Sequence, residues 1–269
     1  MIGVQGMKLS ISTGMYYNKG YEEILDIIEK SGFEYIELFM NQSFVDLEEN
    51  IIIDSMSKHK LKVASIHTPL EFIAFERRQN EKYWIDKCCR MAHKLNSDLI
   101  NTHMVLGKNF ELTDLTLDDI HIKNLLPFIQ NSGVILTTEN MPAYCKETFL
   151  GRYEEFIDFC LKEKIPITFD VTHYATYSSN IIEGFDKVKH IVKNIHLSNY
   201  CNGSEHKLLD DGDIDIIEFI KYLVQIQYKG LLTLEFDFEN KLRNQIVNNE
   251  DAIIKLQKSR ELILKIIEE

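Results

Sequence analysis

The chain has 269 residues, of which 45% are hydrophobic and 27% are charged, and its formal net charge is −12. An acidic surface repels polyanions, so nucleic acid and anionic membranes are disfavoured as partners. The five cysteines show no CxxC spacing, and neither a signal peptide nor an apolar run of about 20 residues is present. These features favour a soluble protein of the reducing cytoplasm.

Short β-branched runs alternate with amphipathic stretches along the chain, and these predict strands and helices respectively. The first four predicted strands are 8–13, 35–39, 62–67 and 98–103. The helices predicted to follow them, in the same order, are 21–31, a helix through 47–56, 83–95 and 117–130. Strand 134–139 precedes helix 153–162, strand 167–170 precedes helix 181–191, strand 194–198 precedes a long polar loop and helix 216–225, and strand 231–236 precedes helix 251–267.

Eight strands that alternate with eight helices predict parallel pairing through right-handed crossovers. In a chain of this length the pattern favours one (β/α)8 TIM barrel domain over residues 1–269. The alternative is an open doubly wound sheet, but no glycine-rich phosphate fingerprint follows the first predicted strand.

Polar residues of one chemical kind stand at the ends of the predicted strands three to eight. They are His67, His103, Glu139, Asp170, His196 and Glu235, and His173 and His206 follow in the loops beyond. Catalytic groups of such barrels gather at this face. Each residue alone fits a structural role, but six on successive strand ends indicate a site. Imidazole with carboxylate suits zinc, manganese, iron or cobalt, and a dication relieves the repulsion among the carboxylates.

The motifs SIHTP, NTHMVLG, LTTENMP, FDVTHY, NIHLSN, SEHKLLDDGDIDI and LTLEF together resemble the xylose isomerase-like TIM barrel superfamily. This superfamily joins sugar and sugar-phosphate isomerases, epimerases and inosose dehydratases with the endonuclease IV type of AP endonuclease. The resemblance covers nearly the whole chain, from the first predicted strand to the last.

The resemblance implies two different ligand sets. The ketose-epimerase pattern has one metal, held here by Glu139, Asp170, His196 and Glu235, with His173 binding substrate. The endonuclease IV pattern has three metals and adds His67 and His103 at the first and His173 and His206 at the third. An aspartate stands two residues before the last histidine in that family, where this chain has Ser204. Sugar-active members also keep histidines at 67 and 103, where they can bind substrate.

The leading hypothesis is a metal-dependent isomerase or epimerase of a sugar or sugar phosphate, with Mn or Zn and one to three ions. Glu139 and Glu235 would transfer the proton at carbon through an enediolate that the metal stabilises. The alternatives are endonuclease IV-like phosphodiester hydrolysis and a catalytically silent metal-binding barrel. The loop FMNQSFVDLEEN argues against DNA because it contains no Arg or Lys. The sequence determines neither the sugar nor the oligomeric state.

Overall fold

A computed structural model describes residues 6–103, 132–146 and 149–269 of the chain. Its strands are β1 (Lys8–Ser12), β2 (Tyr35–Phe39), β3 (Lys62–His67), β4 (Leu99–Thr102), β5 (Ile135–Glu139), β6 (Ile167–Asp170), β7 (Val192–Leu197), β8 (Asn199–Cys201), β9 (Ser204–Lys207) and β10 (Leu231–Leu234). Eight of them close a parallel barrel in the order β1-β10-β7-β6-β5-β4-β3-β2. The predicted (β/α)8 barrel is confirmed, and the open doubly wound sheet is excluded.

Helices surround the barrel. They are α1 (Tyr21–Lys30), α2 (Glu49–Lys58), α3 (Glu71–Glu76), α4 (Glu81–Leu95), α5 (Tyr153–Glu163), α6 (Val171–Ala175), α7 (Ile181–Val188), α8 (Ile216–Gln225) and α9 (Asn249–Glu268), with short 3-10 turns at Thr13–Met15, Ala143–Cys145 and Phe149–Gly151. The short helices α3 and α6 were not predicted. The predicted helix 117–130 lies outside the described residues. Among the described helices, none combines the length and the apolar character that a membrane span requires.

The main hydrophobic core lies between the barrel and the helices. On α1 the apolar positions Ile24, Leu25 and Ile28 recur at helical spacing, and all three are fully buried. Gly32 follows that helix with a φ of +80°, a left-handed conformation that glycine adopts without a steric penalty. The helices therefore pack against the outward side chains of the strands, which leaves the inward side chains to fill the barrel.

The interior of the barrel is polar. One inward position on each strand carries a fully buried polar side chain: Ser10, Glu37, Ser65, Asn101, Thr137, Thr168, Asn194 and Thr233. The hydrogen bond from Asn194 Nδ2 to Glu37 Oε2, 3.1 Å long, joins β7 to β2, which are not neighbours, so it crosses the interior. Branched apolar residues usually fill such barrels. Side chains two residues further along a strand point the same way, which brings the strand-end residues to the mouth of the barrel.

The segment predicted as a long polar loop after the seventh strand contains an antiparallel hairpin of β8 and β9. Asn202 and Gly203 turn the chain with φ values of +50° and +82°, as a tight hairpin turn requires. Asn199 anchors the segment, because its Nδ2 donates to Leu209 O at 2.8 Å and its Oδ1 accepts from Ile214 N at 3.0 Å. The hairpin holds His206 over the mouth of the barrel.

Candidate metal centre

Four of the predicted site residues meet at the mouth of the barrel. Glu139, Asp170, His196 and Glu235 offer ligand atoms that all lie within 4.8 Å of one another. Nδ1 of His196 lies 2.9 Å from Glu235 Oε2, 3.4 Å from Glu139 Oε1 and 3.9 Å from Asp170 Oδ2. The four residues come from β5, β6, β7 and the residue just after β10, so the inward alternation of four strands brings them together.

Asp170 has two tasks, which explains why His173 follows it at a spacing of three. Its Oδ1 accepts the backbone N–H of His173 at 2.6 Å and the hydroxyl of Thr172 at 3.0 Å, and so caps the N-terminus of α6. The cap fixes the rotation of the carboxylate, and Oδ2 is left directed at His196. One turn of helix also carries the imidazole of His173 above the same centre.

The donor set fits a divalent transition metal. Asp170 Oδ2 is buried and makes no hydrogen bond to the described residues, while His196 Nδ1 and Glu235 Oε2, also buried, contact each other at 2.9 Å and make no other hydrogen bond there. Leaving such an atom unsatisfied costs about 1–3 kcal/mol, more if it is charged, and buried polar atoms are normally paired. His196 Nδ1 and the two carboxylate oxygens within 4 Å of it therefore form a donor set that could hold a divalent cation.

A second cluster of potential ligands lies beside the first. Asp170, His173 and His206 also offer ligand atoms within 4.8 Å of one another. Nδ1 of His173 contacts Asn140 O at 2.9 Å, and His206 Nδ1 lies 3.8 Å from Glu235 Oε2. Glu205, which could replace the carboxylate missing at Ser204, is not part of this cluster, and its Oε2 instead accepts the hydroxyl of Tyr144 at 2.8 Å.

His67 and His103 lie at the mouth but in neither cluster of the described residues. His67 contacts Thr68 O through Nδ1 at 2.6 Å, and its Nε2 lies 3.4 Å from Glu139 Oε2. His103 Nδ1 lies 3.1 Å from Glu71 Oε1. The rings of the two histidines stand 5.1 Å apart, edge to face. Their predicted roles in binding substrate or another metal stay predictions.

The charges at the centre are strongly coupled. Burial tends to raise the pKa of Glu139, but His196 and His173 lower it more, and the pKa of Glu235 is lowered in the same way by His196. Burial raises the pKa of Asp170 to about 6. Burial would lower the pKa of His173, whereas Asp170 and Glu139 raise it to about 10. In the metal-free protein, the positive charge of imidazolium groups thus offsets the negative charge of the carboxylates. A bound dication can supply that positive charge instead.

One buried acid that contacts this centre was not predicted from the sequence. Glu37, in the middle of β2, is fully buried, and its two carboxylate oxygens lie 3.1 and 3.2 Å from His196 Nε2. Ser65 Oγ also donates to Glu37 Oε2, at 2.8 Å. The available signal was the charge itself, because an inward acid within the apolar strand YIELF requires a buried partner.

Comparisons with known proteins agree with this architecture. A sequence model of the family described as xylose isomerase-like TIM barrel matches residues 25–259. The chain is 27% identical to an uncharacterized protein of Methanocaldococcus jannaschii, MJ1188, over 97% of this chain and 100% of that one.

Two solved structures share the fold. A D-psicose 3-epimerase from Clostridium cellulolyticum H10, solved with D-tagatose, is similar with a TM-score of 0.72 and 13% identity, over 97% of this chain and 99% of that one. An AP endonuclease, family 2, from Brucella melitensis is similar with a TM-score of 0.66 and 12% identity, over 86% and 93%. At such identities the likeness establishes the fold alone.

Proposed function

Since the chain belongs to the xylose isomerase-like TIM barrel family, we propose that it is a metal-dependent isomerase or epimerase of a sugar or sugar phosphate. The observation that carries the proposal is the buried cluster of Glu139, Asp170, His196 and Glu235, whose ligand atoms all lie within 4.8 Å of one another. Within the described part of the chain, Asp170 Oδ2 has no hydrogen-bond partner. Two members of the cluster are glutamates from β5 and the end of β10, which lie on either side of β7 in the barrel, and two such groups suit a reaction that removes a proton and returns one.

A bound divalent ion would supply Lewis-acid polarisation of a substrate carbonyl, which makes the neighbouring C–H more acidic. The protein's own residues then perform the proton transfer. One of Glu139 and Glu235, as the carboxylate, removes the proton, and the other, which starts as the carboxylic acid, gives its own proton to the opposite face of that carbon or to the next carbon. The transfer exchanges the protonation states of the two glutamates, so they exchange the roles of base and acid when the reaction runs in reverse.

The neighbouring side chains orient these two bases. Asn101 Nδ2 donates to Glu139 Oε2 at 2.5 Å, and His173 Nδ1 lies 3.3 Å from Glu139 Oε1. Because His173 Nδ1 also contacts Asn140 O, its Nε2 is the nitrogen that can face a substrate hydroxyl. His67, whose Nε2 lies 3.4 Å from Glu139 Oε2, packs against Phe39 with tilted rings whose centroids are 4.1 Å apart, which holds the imidazole beside Glu139.

The test is exchange of a carbon-bound substrate hydrogen with solvent. Ketoses, their phosphates and inososes are incubated with metal-loaded protein in heavy water, and proton NMR follows the loss of C–H signal. The Glu235→Gln variant retains one oxygen donor but loses the base, so exchange should fall by roughly a hundred- to ten-thousand-fold. Metal content should fall far less.

Glu34→Gln is the matched control, because Glu34 is an exposed acid at the opposite end of β2 that pairs with Lys62. Its exchange rate should equal that of the wild type. Turnover of a substrate without any C–H exchange would instead indicate a hydride shift. If no compound of the panel binds, the assignment to sugars is wrong.

One observation favours the alternative, phosphodiester hydrolysis. The cluster of Asp170, His173 and His206 offers room for a further ion, as in the endonuclease IV pattern. The net charge of −12 opposes it, because proteins that bind the phosphate backbone carry basic patches. We therefore expect no incision of duplex DNA containing an abasic site at physiological salt. Metal-dependent incision that His67→Ala abolishes would establish the alternative.

A further inference from the structure

The buried acid Glu37 has no part in the proton transfer described above, yet it lies directly behind His196. We propose that Glu37 is a positioning residue that holds His196 as the Nε2–H tautomer and thereby makes Nδ1 the metal ligand. The inference rests on the metal-binding part of the proposed function and needs no particular substrate.

The geometry of His196 separates its two nitrogens. Nε2 lies 3.1 and 3.2 Å from the oxygens of Glu37, inside the barrel. Nδ1 faces the mouth, 2.9 Å from Glu235 Oε2 and 3.4 Å from Glu139 Oε1. Both nitrogens contact carboxylates, and a carboxylate is an acceptor only. An ion bound among the candidate ligands would replace the proton on Nδ1, so the remaining ring proton belongs on Nε2, where Glu37 accepts it. The lone pair is then on Nδ1, at the centre of the candidate ligands.

Glu37 is itself held in place from three strands. Ser65 on β3 donates to its Oε2 at 2.8 Å, and Asn194 on β7 donates to the same oxygen at 3.1 Å. The hydroxyl of Thr233 donates to Asn194 Oδ1 at 2.8 Å, which fixes the amide with Nδ2 towards Glu37. The carboxylate therefore has one orientation, and that orientation is transmitted to the ring of His196.

A carboxylate that accepts the outer N–H of a ligating histidine orients the ring and raises the basicity of the other nitrogen. Loss of such a partner commonly costs 10- to 100-fold in metal affinity. Glu37→Gln keeps the size of the side chain and removes its charge. We expect this variant to bind zinc and cobalt about 10- to 100-fold more weakly than the wild type.

The control is Glu34→Gln, which makes the same chemical change at an exposed acid that precedes β2 and pairs with Lys62. Its metal affinity should stay close to that of the wild type. The melting temperature of each metal-free variant reports any general loss of packing, which a purely structural role would produce without a selective loss of affinity. Equal affinity of Glu37→Gln and wild type for both metals would overturn the inference.

A second measurement is made on the wild-type protein. In zinc-loaded protein labelled with nitrogen-15, long-range proton–nitrogen NMR distinguishes the metal-bound from the protonated ring nitrogen. The His196 ring, identified by the signals that His196→Asn removes, should carry zinc on Nδ1 and hydrogen on Nε2. Zinc on Nε2 would contradict the inference while leaving the metal site intact. Absence of zinc binding by the wild type would instead overturn the proposed function.

Discussion

The two sides of the barrel mouth carry the same kinds of residue at the same positions, but they differ in what those residues contact. On the side of β5, β6, β7 and β10, Asp170 Oδ2 is buried with no hydrogen-bond partner among the described residues, and His196 Nδ1 and Glu235 Oε2 make no hydrogen bond there apart from their mutual 2.9 Å contact. On the side of β3 and β4, His67 contacts Thr68 O and His103 contacts Glu71. A histidine at a strand end therefore indicates a possible ligand, and its neighbours decide whether a nitrogen is free to bind metal.

The largest effect on metal affinity should come from a substitution on the side of β5, β6, β7 and β10. Asp170→Asn keeps the N-cap of α6, because asparagine caps as well as aspartate does, but it removes a charged ligand from the cluster. We expect metal affinity to fall by more than about a hundredfold, beyond the effect of an outer partner. Competition titration with a chelator measures this. An affinity within threefold of the wild type would remove Asp170 from the ligand set.

Removal of the metal should lower thermal stability. A ligand present at a hundred times its Kd stabilises the native state by about 2.7 kcal/mol, which corresponds to roughly 5–10 °C in a chain of this size. Thermal denaturation with and without EDTA measures the shift. The Asp170→Asn variant serves as the control, because its melting temperature should not respond to EDTA. A wild-type melting temperature that EDTA leaves unchanged contradicts the metal site.

A smaller effect is expected on the side of β3 and β4. His103→Asn removes an imidazole whose Nδ1 contacts Glu71. The affinity for the ion of the Glu139, Asp170, His196 and Glu235 cluster should therefore change by less than about tenfold. The same chelator competition measures it, with Asp170→Asn for comparison. A loss as large as that of Asp170→Asn would show that both sides of the mouth bind the same ion, and the contrast between them would disappear.

The smallest effect concerns stability rather than metal affinity and should come from a substitution of His59, which lies away from the mouth. Its ring nitrogens contact Glu29 at 3.0 Å and Glu22 at 2.9 Å. Burial lowers the pKa of His59, but the hydrogen bonds that its ring donates to these two carboxylates raise the pKa above the ordinary value. The raised pKa contributes stability that is complete below the unfolded pKa of about 6.5 and is lost as pH rises through the native pKa.

His59→Gln should therefore lower the free energy of unfolding by about 1 kcal/mol at pH 6, since the paired acids are partly exposed, and by less at pH 9. Urea denaturation at the two pH values measures the difference. Metal affinity should not change. A destabilisation that grows with pH would contradict the stated direction of the pKa shift.

The sequence predicted the barrel because strand patterning is local. The predicted bounds of β2, β3 and β6 equal those observed, since each of these strands is a short apolar run with a polar boundary. The strand-end positions predicted which residues meet at the mouth, because parallel strands share one end. The ligand and substrate roles of these residues, and helix 117–130, stay predictions.

The sequence did not predict the features that depend on long-range contacts. Glu37 and His196 are 159 residues apart, and only the closed barrel brings them together. The β8–β9 hairpin was not predicted because its strands are very short, although Asn202-Gly203 is a recognised turn signal. Which nitrogen of a histidine is free is likewise decided by neighbours from other strands.

The polar interior of the barrel reverses the usual pattern of evolutionary tolerance. On the outward face of the strands, one aliphatic residue can replace another of similar volume at a cost usually below about 1.5 kcal/mol. Inside, Thr137 and Thr168 share a hydrogen bond, and Thr233 joins Ser10 to Asn194. Replacing any of these threonines with valine keeps the shape of the side chain but leaves its buried partner without a hydrogen bond. The cost in stability is about 1–3 kcal/mol. Sequence drift in this lineage should therefore be slow inside the barrel, and a mutagenesis library should randomise the helix-facing positions first.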